Sequence, residues 1–125
     1  MELNELSYKI RGAVYKVYNV LGPGLLESVY EEALFYQLIL DGLDVKRQLL
    51  VPIVYNDFQL NSNLRIDLLV ENQVIIELKS VDIVLPVHHK QLVTYLKLTN
   101  KKLGLLINFN SEDINKSIYR KVNKL

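Results

Sequence analysis

The 125-residue chain contains no cysteine. That excludes a disulfide framework, a thiolate zinc site and a cysteine nucleophile, and it suits a reducing cytosol. Charge of one sign is also lacking: 15 Lys and Arg stand against 14 Asp and Glu, a formal net charge of +1. No global field draws such a chain to nucleic acid, so any polyanion has to be held by a local patch. No apolar run approaches the roughly 18 residues of a membrane span. The opening stretch, MELNELSYKIRG, is polar and amphipathic rather than a charged-then-apolar signal. A soluble cytoplasmic protein is the expectation. A P-loop, a glycine-rich dinucleotide turn, a serine-nucleophile elbow and zinc-ligand spacing are missing, as are repeats, low-complexity tracts and linkers.

What is present is an apolar fraction of 50%, enough for one core in a single domain over residues 1–125. Leu3, Leu6, Ile10, Ala13, Val14, Val17 and Leu21 recur at steps of three and four and predict a helix, ended by Gly22-Pro23-Gly24. A second helix is expected from about Leu25 to Leu40, burying Leu26, Val29, Ala33 and Leu34, with Asp41-Gly42 as its stop. Val45 to Tyr55 reads as a strand, with Pro52 suggesting a sheet edge; Asn56-Asp57 reads as a turn and Phe58 to Leu60 as a short return strand. A hairpin of Leu64 to Val70 and Val74 to Leu78 follows, apolar enough to be covered on both faces. After Pro86, Val87, Leu92 and Leu96 with Gln91 and Tyr95 trace a third helix stopping near Thr99-Asn100, and Leu103 to Ile107 reads as a buried strand. Ser111 is placed to cap a final helix, with Glu112 and Asp113 in its first turn and Ile114, Ile118, Val122 and Leu125 facing inward. The order implies an α/β or α+β fold with helices covering a small mixed sheet.

The hairpin carries the most informative polar residues. If Val70 pairs with Val74 around a three-residue turn of Glu71, Asn72 and Gln73, counting outward sets Asp67 opposite Glu77 and Arg65 opposite Lys79. Regular alternation then puts all four on one face. Opposed residues sit roughly 4.5 to 5.5 Å apart at Cβ, and two carboxylates that close repel unless a proton, a lysine or a cation intervenes. Asp67, Glu77 and Lys79 thus combine the parts of metal-assisted phosphodiester hydrolysis: two oxygen ligands for Mg²⁺ and a lysine to orient water or offset developing charge. A two-residue turn would shift the register and separate the acids. A structural alternative stays open, with Lys79 neutralising Glu77 and Arg65 paired to Asp67.

Glu27 falls in the first turn of the second helix, where the helix dipole alone can account for an acid. Gly24, Glu27 and Tyr30 are spaced by three, so Glu27 and Tyr30 share a helical face. Glu31 and Glu32 read as solvated surface. His88, Gln91 and Tyr95 form one stripe on the third helix, readable either as a polar site or as exposed residues beside a core tyrosine. His88 and His89 diverge by about 100° on a helix and make a poor metal pair. Lys116, Arg120 and Lys124 are expected on one outer face of the last helix, with phosphate contact as the functional reading and a solvated surface as the simpler one.

Four blocks, GPGLLESVYEEAL, RIDLLVENQVIIELKSV, HHKQLVTYLK and LGLLINFN, closely resemble the GxxExxY protein family, a bacterial branch of the PD-(D/E)XK nuclease-like superfamily. The resemblance spans nearly the whole chain and implies a restriction-endonuclease-like core. It implies Glu27 as the helix-borne acid, Asp67 and Glu77 as metal carboxylates with Glu27 beside them, Lys79 as the catalytic lysine, and Gln91 positioning phosphate or water. Tyr30, His88 and Tyr95 would support them. Mg²⁺ or Mn²⁺ is the implied cofactor and nucleic acid of undetermined type the implied partner, with no membrane role and a homodimer allowed. Two departures stand out: Tyr18 and Ile66 occupy positions where the family often has histidine and alanine. The implied activity is metal-dependent hydrolysis of nucleic acid. The alternative is a non-catalytic nucleic-acid-binding or protein-assembly domain on the same fold.

Overall fold

The computed structural model describes all 125 residues, Met1–Leu125. Helices α1 (Leu3–Leu21) and α2 (Glu27–Leu40) precede strands β1 (Val45–Tyr55), β2 (Phe58–Val70) and β3 (Val74–Lys79). Helix α3 (Pro86–Thr99) crosses to β4 (Leu103–Asn108), and a 3₁₀ turn, Ile114–Ser117, leads into β5 (Ile118–Val122). The five strands form one sheet in sequence order. Every neighbouring pair is antiparallel except β3 and β4, which run parallel because α3 carries the chain back between them.

A core lies on each face. On one, Leu6, Ile10, Val14 and Val17 of α1 and Tyr30, Leu34 and Leu38 of α2 pack on Leu68, Val70, Ile76, Leu78, Leu105 and Ile107. On the other, Leu92 and Leu96 of α3 cover Ile66, Leu69, Ile75 and Leu106. Gly104 is required where α3 comes closest: a Cβ there would lie 2.9 Å from Leu92 Cδ1. The sheet is therefore covered on both faces, as the apolar hairpin implied.

Local chemistry sets the boundaries. Gly22 takes φ 68° and returns its N–H to Tyr18 O, closing α1. Pro86 opens α3 and Asn100, at φ 54°, closes it. The Asn56-Asp57 turn has both residues at positive φ, the geometry of a tight two-residue hairpin. The β2 to β3 turn has the expected three residues, with Val70 paired to Val74.

Four expectations are corrected. The final helix is one 3₁₀ turn followed by a strand: Asp113 caps only as far as Asn115 N (3.2 Å), and Ile118-Tyr119 then pair with β4, whose open edge favours strand-forming residues. Val122 and Leu125 are 47% and 61% exposed rather than buried, and the helical stripe of Lys116, Arg120 and Lys124 does not exist. The short return strand is part of β2, which runs unbroken for 13 residues. On α2, Leu26 and Val29 point outward while Tyr30, Leu34 and Leu38 are buried; both stripes are apolar, so periodicity did not choose between them. Arg65 is not opposite Lys79, because the β2 to β3 ladder stops at Leu68 and Ile76, and Arg65 pairs with Leu50.

Candidate functional site

Where the ladder stops, side chains take over. Asp67 Oδ2 accepts the N–H of Leu78 at 2.9 Å, and Glu77 Oε1 accepts the N–H of Asp67 at 3.4 Å. The alternation of β2 also breaks here, since Leu68 packs in the α1 and α2 core while Ile66 packs under α3. Strand β1 breaks on the same rung: Arg47 pairs with Leu68 and Leu49 with Ile66, leaving Gln48 facing Asp67 at φ 53°, a left-handed conformation uncommon outside glycine. Strain of this kind concentrates at functional positions.

Asp67 and Glu77 are both buried, 7% and 6% exposed, and neither makes a direct ion pair. The ion pairs of the chain are Lys16 with Asp41 (3.3 Å) and Arg47 with Glu31 (2.8 Å). Neither Lys79 with Glu77 nor Arg65 with Asp67 forms a direct ion pair, although the Lys79 charge acts on both carboxyls and lowers their pKa. Burial and the neighbouring Asp67 charge push the Glu77 carboxyl up to about 9. Burial also raises Asp67, opposed by the Leu78 N–H and reinforced by Glu31. The Tyr95 hydroxyl on α3 is raised by burial and by the charges of Glu77 and Asp67.

The GPG turn delivers Glu27. The buried Tyr30 hydroxyl donates to Gly22 O (2.6 Å) and accepts from Leu25 N–H (3.1 Å), and its ring stacks on Phe109 at 4.5 Å. Ser80, just past β3, donates to Leu25 O at 2.5 Å. These bonds fix the start of α2 against the end of β3, so Glu27, Asp67 and Lys79 feel one another: partial desolvation raises the Glu27 carboxyl, Lys79 lowers it and Asp67 raises it. The three carboxylates nonetheless do not converge as a ready-made metal cluster. Asp67 and Glu77 form the pair, and Glu27 stands off on α2 with its side chain exposed.

The remaining candidates divide. Gln91 is exposed on α3, one helical turn before Tyr95. His88 is turned to another task, its Nδ1 accepting the Leu85 N–H at 3.0 Å to cap α3. Glu31, read from sequence as solvated, is 6% exposed and accepts from Arg47 Nε (2.8 Å) and from Gln48 Nε2. Arg47 and Gln48 are consecutive yet both reach Glu31, which the left-handed turn at Gln48 allows. The Glu31 to Tyr30 adjacency in GxxExxY-type spacing carried no signal of this network. Asn108, also missed, pins the loop after β3, accepting from Val81 N (3.1 Å) and donating to Val81 O (2.9 Å).

A sequence profile described as the PD-(D/E)XK nuclease superfamily matches residues 4–121, and the chain belongs to that superfamily. The mixed five-stranded sheet with helices on both faces agrees with its restriction-endonuclease-like fold. No curated protein and no solved structure matches. No helix is long and apolar enough to cross a membrane.

Proposed function

We propose that this chain is a metal-dependent nuclease that hydrolyses phosphodiester bonds, from the GxxExxY branch that its motif resembles. The observation that carries the reading is the buried Asp67 and Glu77 pair, which makes no direct ion pair and has the charge of Lys79 nearby. Two adjacent buried carboxylates are costly as a purely structural device, because an apolar or ion-paired replacement would relieve both desolvation and repulsion. They suit a divalent cation, which is held by hard oxygen donors. The donor set fits: each carboxyl accepts one backbone N–H, and the two hydrogen-bond to each other through a proton that a cation would displace.

Asp67 and Glu77 would hold Mg²⁺ or Mn²⁺, with Glu27 contributing from the start of α2. The bound ion would polarise the phosphoryl oxygen and lower the pKa of a coordinated water. Lys79 follows Leu78, whose N–H anchors Asp67, so its ammonium is available to an anionic phosphate and to the charge that develops in hydrolysis. Glu27, with a raised carboxyl pKa, is suited to exchange a proton with the attacking water. Gln91 and Tyr95, from the opposite face of the sheet, supply neutral hydrogen-bond donors for phosphate.

Incubation with single- and double-stranded DNA and RNA in Mg²⁺ or Mn²⁺ tests this. Cleavage should vanish in EDTA and fall by about 10² or more in Lys79→Ala, the scale of losing one charge-stabilising group. Absence of cleavage, or cleavage indifferent to both changes, would support the non-catalytic alternative.

A further inference from the structure

Helix α2 and its N-cap Leu26 carry a second apolar stripe whose large side chains the rest of the chain leaves exposed. Leu26, Val29, Ala33, Tyr36 and Leu40 follow at steps of three and four, the spacing of a helix-to-helix seam. Leu26 is 74% exposed, Val29 39%, Tyr36 63% and Leu40 60%, while Ala33 is half-buried and also touches the edge of the α1 and α2 core. Leu25 and Ile39 extend the patch at 39% and 46%. Contiguous exposed apolar surface of this kind marks an interaction site.

The stripe is nearly its own complement when reversed. An antiparallel copy sets Leu26 against Leu40, Val29 against Tyr36, and Ala33 against itself. Small Ala33 at the midpoint lets two helices approach closely, and the steps three-four-three-four meet four-three-four-three, so side chains interleave. Charge favours the same direction. Exposed Glu32 lies in the first half of α2, which carries no basic residue. At its far end a cleft is lined by Lys9, Arg11, Lys16 and Asp41. Antiparallel pairing brings Glu32 of one copy towards the basic cleft of the other and opposes the helix dipoles, whereas parallel pairing stacks Glu32 on Glu32.

We propose that the protein is a homodimer joined through α2, with its two-fold axis at Ala33. Sedimentation equilibrium should give twice the 14.5 kDa chain mass. Tyr36→Lys should yield a monomer with an unchanged circular dichroism spectrum. Leu50→Lys, at an equally exposed apolar residue on β1, should remain a dimer. Because the chain has no cysteine, Ala33→Cys should cross-link to itself on oxidation while Ser28→Cys, on another face of α2, should not. A monomer at about 100 μM, where a dimer of micromolar Kd would form, would overturn the proposal. So would a dimer that survives Tyr36→Lys or is broken by Leu50→Lys, and failure of Ala33→Cys to cross-link would overturn the antiparallel register.

Discussion

Asp67 and Glu77 continue the hairpin with their carboxylates where its backbone ladder ends, each accepting a main-chain N–H from the other's strand. Their closeness is therefore built by the fold and does not depend on a ligand. It also sets the protonation of the site.

Metal binding should release a proton. The Glu77 carboxyl is pushed up to about 9, so it is protonated at neutral pH and has to lose that proton to serve as a ligand. Mn²⁺ affinity should rise by up to tenfold per pH unit between about pH 6 and 9. Calorimetry at several pH values, in buffers of different ionisation enthalpy, checks both the slope and the proton release. A flat affinity would contradict the assignment of Glu77 as a ligand.

The same shift fixes the sign of stability against pH without metal. A carboxyl whose folded pKa is about 9, against an ordinary 4.5, gives the folded state more bound protons than the unfolded state. Its contribution is full below about pH 4.5 and is lost progressively as pH rises towards about 9. Melting temperatures in EDTA should therefore fall across this window, and Glu77→Gln should flatten the trend.

Tyr30→Phe should destabilise the protein by about 1 to 3 kcal/mol, since it strips hydrogen-bond partners from Gly22 O and Leu25 N. Nuclease activity should fall with it, because those bonds hold the turn that positions Glu27. Urea unfolding and a rate measurement on the same variant decide the matter.

Arg47→Ala leaves Glu31 buried with only Gln48 beside it. Arg47 is partly exposed, so the expected cost of about 1 to 3 kcal/mol lies between that of a surface pair and that of a buried one. Chemical denaturation against Glu31→Gln, which keeps an acceptor but loses the charge, separates pairing from packing.

The hairpin was legible in its three-residue turn and its register as far as Leu68 and Ile76, whereas the break in β2 alternation at Asp67 was not, because regular strand period was assumed through it. The α1 stripe, the α3 start at Pro86 and the β4 run were also legible. Glu31 was not, because a second glutamate near the start of a helix looks like surface unless Gln48 is known to leave the β conformation and turn towards it. Strand β5 was missed because Ile114, Ile118 and Val122 recur every four residues, a period compatible with a helix, and only the open edge of β4 reveals the competing partner. His88 was placed on the correct helix, but its capping of the Leu85 N–H was not legible, since that depends on loop geometry that spacing does not encode.

Thermal melts of the wild type and Asp67→Asn in EDTA, Mg²⁺ and Mn²⁺ test most directly whether the paired carboxylates exist to hold a cation. Metal at a hundredfold excess over Kd should stabilise the wild type by about 2.7 kcal/mol, while Asp67→Asn should match or exceed the wild type in EDTA and lose most of the metal-dependent rise. No metal-dependent shift, together with a large loss of stability for Asp67→Asn in EDTA, would contradict the account.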